Sequence, residues 1–147
     1  MKKTLCLSVL IVFTISFIFV GCNNIQTRKE QSKEDYNSQE KCGKRCHEFF
    51  HKKYGDGKKN DESEYSHSTY QRHYNQKLNR CFILVTSRGY TKTDTKTYNN
   101  KSLFDINEDK EFGVFEDKKT SFLCILSGKK CKSKEEWDLL VKPYMEE

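Results

Sequence analysis

Beyond residue 21 the chain has no long apolar run, and nowhere does it carry an internal repeat, a G-x-S-x-G stretch or a glycine-rich phosphate loop. Without a repeat there is no solenoid to build, and without G-x-S-x-G nothing frames a serine nucleophile. Gly55-Asp56-Gly57 reads as a turn, since no strand precedes it as a phosphate loop requires. "DINEDKE" at 105–111 alternates acids but lacks the glycine and the terminal glutamate spacing of a calcium loop, so it reads as a solvated hairpin turn. Acidic residues are missing altogether from the first 21 positions.

That N-terminal stretch, "MKKTLCLSVLIVFTISFIFVGC", pairs two lysines with an apolar run from Leu5 to Val20. It has the form of an export signal. A run of this length also approaches the roughly 20 residues of a membrane span. Val20-Gly21-Cys22 resembles the lipobox of bacterial lipoproteins, departing from it at Phe19 where leucine is usual. On that reading residues 1–21 are a lipoprotein signal peptide, and Cys22 carries acyl chains such as palmitate that hold the protein to the membrane. Each buried methylene contributes about 0.8 kcal/mol to such an anchor. Asn23 follows the cysteine, where an Asp commonly retains Gram-negative lipoproteins at the inner membrane. The resemblance therefore implies the outer membrane, facing the periplasm or the cell surface.

Cleavage after residue 21 leaves 126 of the 147 residues, enough for one domain and too few for two. Losing Lys2 and Lys3 lowers the formal net charge from +6 to +4, a modest excess in a chain rich in both signs. Nucleic acid is not an expected partner outside the cytoplasm, whereas an envelope protein, a lipid headgroup or a polysaccharide is. Five cysteines remain after Cys6 and Cys22 are set aside: Cys42, Cys46, Cys81, Cys124 and Cys131. In an oxidising compartment they predict two disulfides and one leftover thiol, with the pairing open.

Residues 22–40 hold a single strong aliphatic among mixed charges, which predicts an unordered tether ahead of a folded domain over 41–147. A helix is expected over 42–54, followed by a mobile loop from Gly55 to His67. "YQRHYNQKLNRCFILVTS" predicts a hairpin turning near Asn75 to Asn79, with Cys81 to Val85 apolar on both faces and therefore central. "TKTDTKTY" suggests an exposed strand, and "SLFDI", "EFGVF" and "SFLCIL" continue an antiparallel meander of four to six strands. The close is helical. Ser133 and Glu136 form a capping box, and Trp137, Leu140, Val141 and Tyr144 make a stripe for the sheet, with an end or kink near Lys142 ahead of Pro143. The fold class is α+β: an N-terminal helix, the meander, and a C-terminal helix packed on it.

"CGKRCHEFFHKK" carries two competing chemistries. "HEFFH" fits the zinc-protease pattern, with His47 and His51 as ligands and Glu48 as general base of a zinc-dependent hydrolase. "CGKRCH" is one residue longer than the haem-attachment pattern, in which Cys42 and Cys46 would form thioethers and His47 would be the axial ligand, opposite Met145 or another histidine. Both need His47, so they exclude one another. Lys44, Arg45, Lys52 and Lys53 crowd the same helix and repel a metal cation. Glu62, Glu64, His67 and His73 are third-ligand candidates by type alone, and the "HxxGxxH" extension is missing. The plain alternative is two exposed histidines on a helix whose cysteines and phenylalanines face the core.

"RHYNQKLNRCFILV" and "CKSKEEWDLLVKPYMEE" are similar to segments of small uncharacterised bacterial lipoproteins and secreted proteins that share a HYNxKLNxCF core and an LVKPYMEE-like end. The resemblance covers most of the mature chain and brings no activity with it. It implies that HExxH is incidental in the group. The expectation is a lipid-anchored envelope protein acting as a binding or structural module, with the zinc hydrolase and the haem protein as alternatives.

Overall fold

The computed structural model describes residues 30–93, 96–118 and 121–146. Cys22 and the signal lie outside them. The chain divides into two units, Met1–Asn37 and Ser38–Glu147. Of the first, only residues 30–37 are described, and they are helical.

Helix α1 covers residues 30–54. Its described start falls within the stretch expected to be an unordered tether, so residues 30–40 are helical and, with few exceptions, exposed. Straight-chain charged residues favour this, and Glu40 pairs with Lys44 one turn on at 2.7 Å. From Cys42 onward the helix is amphipathic: Cys42, Cys46 and Phe50 are buried and Phe49 packs beside them. Gly55 ends it, adopting φ +61° and donating its N–H to the His51 carbonyl at 3.0 Å.

Seven strands follow in sequential order, each antiparallel to the next: β1 Lys58–Asn60, β2 Glu64–Asn75, β3 Arg80–Thr91, β4 Thr97–Asp105, β5 Lys110–Lys118, β6 Ser121–Leu126 and β7 Lys129–Lys130. The expected meander is present with its hairpin turn between Asn75 and Arg80. The sheet has seven strands where four to six were expected, and its two edges, β1 and β7, are short. β1 falls inside the stretch expected to be a mobile loop, where Asp61 Oδ1 accepts the N–H groups of Ser63 and Glu64 at 2.9 and 2.8 Å and closes a tight hairpin. The described residues of "TKTDTKTY" belong to two strand ends and the connection between them, with Lys92 and Thr93 in a turn. Thr91 ends β3 and Thr97 begins β4, with Tyr90 paired to Thr97 at the close of the ladder.

Helix α2, Lys134–Met145, starts as expected at Ser133, whose side chain accepts the Glu136 N–H at 3.2 Å. The Glu136 carboxylate returns to the N–H of Lys132, one residue before the cap, at 2.7 Å. Pro143 does not stop the helix. Its missing N–H forfeits only the bond to Leu139, a residue that is 69% exposed, and the Glu146 N–H still reaches the Lys142 carbonyl at 2.8 Å.

Alternation along β3 sends its side chains to two cores. Cys81, Ile83 and Val85 join Cys42, Cys46, Phe50 and Phe104 under α1. Phe82 joins Leu103, Phe115, Trp137 and Val141 under α2, with Leu84 packed against them. The sheet is thus sandwiched, and Cys81–Val85 is central as predicted.

Candidate functional site

The five cysteines resolve into Cys42–Cys81, which ties α1 to β3, and Cys124–Cys131, which ties β6 to the segment entering α2. Cys46 is the leftover thiol, fully buried. Burial pushes it up to about 11, with Arg72 and Arg45 pulling the other way. Cys42, the first thioether position of the haem alternative, is bonded to Cys81 in this structure.

His47 and His51 sit one turn apart on the outer face of α1, ring centroids 4.3 Å apart. His47 Nδ1 lies 3.3 Å from the Tyr70 hydroxyl. Among the described residues, the one grouping of three or more ligating side chains is Cys42, Cys46 and Cys81, so no third donor gathers at the histidines. Glu48 is exposed beside them. Replacing His47 and His51 together by alanine is expected to change unfolding stability by less than about 1 kcal/mol, as surface substitutions do. Stoichiometric zinc in native mass spectra that disappears with the same replacement would restore the hydrolase reading.

The geometry directs attention to the α1 side of the sheet, beyond the helix's end. Register lays residues in rows across the strands. Tyr70, Val85 and Ser102 form one row, and the next is Ser68, Ser87, Asn100 and Glu116. After it come Ser66, Gly89, Tyr98 and Lys118. Between the first and second rows the chemistry changes from apolar to hydroxyl and amide. α1 covers the apolar rows and stops at Tyr54. The polar rows line a cavity of about 540 Å³ with Tyr54 at its edge.

Its polar groups are held in place. Ser68 and Ser87 share a hydrogen bond at 2.7 Å. Tyr98 crosses over Gly89 to donate its hydroxyl to Glu64 on β2. A side chain at position 89 would block it, since an added Cβ would stand 2.6 Å from that hydroxyl. Lys59 binds the same carboxylate at 2.5 Å, and these two hydrogen bonds, Lys59 first, hold Glu64 below the usual carboxylate range. Burial and the Glu64 contact raise Tyr98. Asn100 Oδ1 is buried in the floor and has no hydrogen-bond partner among the described residues. An acceptor so placed is costly unless a donor arrives.

Sequence reasoning missed this site. Glu64 entered only as a third zinc ligand by type, and Ser66, Ser68, Ser87, Tyr98 and Asn100 not at all. The available signal was small hydroxyls recurring at alternate positions of β2 where the apolar side chains stop. Comparison with protein-family models, with curated proteins and with solved structures finds no match to the chain.

Proposed function

We propose that this chain is a bacterial envelope protein, anchored through lipid on Cys22, that binds a polysaccharide in the groove between Tyr54 and Lys118. Disulfides in a domain this small accord with an exported protein. The single observation that carries the ligand class is the unpartnered acceptor Asn100 Oδ1 in a floor of hydroxyls. Glycans supply many O–H and acetamido N–H donors, their ring faces pack on tyrosines, and an ionised carboxylate such as Glu64 accepts from sugar hydroxyls. A cavity of about 540 Å³ suits one or two sugar units.

The test is an NMR titration of the full chain, held in a sugar-free detergent, with di-N-acetylchitobiose. Shifts are expected at Ser68, Ser87, Tyr98 and Asn100. Asn100→Ala is expected to weaken binding about fivefold to tenfold, the worth of one hydrogen bond. Its thermal midpoint should not fall, because the alanine removes an unsatisfied polar atom. Silence throughout the groove at saturating sugar would refute the reading, as would shifts confined to Arg88, Asn99 and Asp117 on the opposite face.

A further inference from the structure

Cys42 and Cys46 lie one turn apart on the same face of α1, and both look onto Cys81 of β3. The Cys46 sulfur is 3.4 Å from the Cys81 sulfur, and all three sulfurs fall within 4.8 Å of one another. No side chain separates them. Cys46 and Cys81 are buried together, with the Cys46 thiol also within 3.7 Å of the Phe82 carbonyl. Burial raises the Cys46 thiol, and Arg72, whose guanidinium covers Gly43 between the two helical cysteines, and Arg45 offset part of that rise.

We infer that Cys81 is a shared sulfur, bridged in turn by Cys42 and Cys46, so that the staple between α1 and β3 is a thiol–disulfide exchange site. The Cys46 thiolate attacks Cys81 Sγ; the Cys46–Cys81 bond forms and the Cys42–Cys81 bond breaks. The electron pair leaves on Cys42 Sγ, which takes up the proton that Cys46 released. Nothing is oxidised or reduced overall, and no outside reagent is consumed. A small-molecule thiol that opens the staple by bonding to Cys81 is expelled in the same way, by attack of either helical cysteine on Cys81. Cys46 is thereby a resolving thiol, and α1 stays tied to the sheet through either bridge.

Trypsin reads the two bridges separately, because Lys44 and Arg45 lie between the helical cysteines and Arg80 precedes Cys81. The full chain is incubated in a glutathione redox buffer, alkylated in acid to stop exchange, digested and analysed by mass spectrometry without reduction. The peptide CFILVTSR should be found joined to CGK and also to CHEFFHK, the two products within about tenfold of one another. In Cys42→Ser it should be joined to CHEFFHK alone, and in Cys46→Ser to CGK alone. The Cys124–Cys131 link in each digest reports that the variant has oxidised and folded. If wild type yields only the CGK product, or if Cys42→Ser leaves Cys46 and Cys81 both alkylated while Cys124–Cys131 is joined, the shared sulfur is refuted.

Discussion

Cys81→Ser is expected to destabilise the domain by about 4 kcal/mol, the largest loss from any single cysteine. The bridge to Cys42 closes a loop with a sequence separation of 39. Opening it returns about 4 kcal/mol of chain entropy to the unfolded state, against about 2 kcal/mol for the separation of 7 between Cys124 and Cys131. Total stabilities run to about 5–15 kcal/mol, so Cys81→Ser removes much of the margin. Equilibrium unfolding in urea under non-reducing conditions measures it. The order of the variants carries more than any one value. Cys42→Ser should fall far less than Cys81→Ser, because Cys46 takes over the bridge. Equal losses in the two would contradict the shared sulfur, and an unchanged midpoint in Cys81→Ser would remove the staple itself from the account of stability.

That ordering also marks where the sequence was legible and where it was not. An odd set of five cysteines, once oxidised, already implies two bridges and one thiol, since oxidation pairs what it can. Which sulfurs meet depends on α1 lying along β3, and linear spacing does not encode that approach. The same division runs through the fold. β3 through β6 announce themselves by apolar runs between turn residues, and α2 by Ser133 and its stripe, because burial and capping are local demands on side chains. β1 and β7, of three and two residues, carry no such pattern. They exist because a neighbouring strand offers backbone partners, as Ser66 and Leu126 do to Lys59 and Lys129.

The groove was hidden for a related reason. Ser68, Ser87 and Asn100 are ordinary polar strand residues one at a time, and only the register of three hairpin-linked strands sets them in one row. "HEFFH" presents the opposite case, a pattern plain in the sequence whose histidines face away from the core. Helical periodicity had already put His47 and His51 off the buried stripe, and the structure adds that among the described residues no third ligand joins them.

Trp137→Ala is expected to cost about 3–5 kcal/mol, comparable to the loss of the staple but acting on the other side of the sheet. Trp137 is fully buried, with its ring 6.0 Å from that of Phe115. Gly113 on β5 provides the space: a Cβ there would stand 3.1 Å from the far edge of the indole. Truncation to alanine thus leaves a void lined by Phe115 and by Gly113, which has no side chain with which to fill it. Trp137→Phe should be far milder, about 1 kcal/mol, because the indole N–H has no partner among the described residues and phenylalanine removes that unsatisfied donor along with some volume. Gly113→Ala should destabilise the wild type by crowding the indole and Leu126. In Trp137→Ala the same change should cost less, since the indole is gone, and a double-mutant cycle followed by far-ultraviolet circular dichroism in urea gives the coupling. Additive costs would mean that the glycine serves Leu126 alone and that the tryptophan packs independently of it.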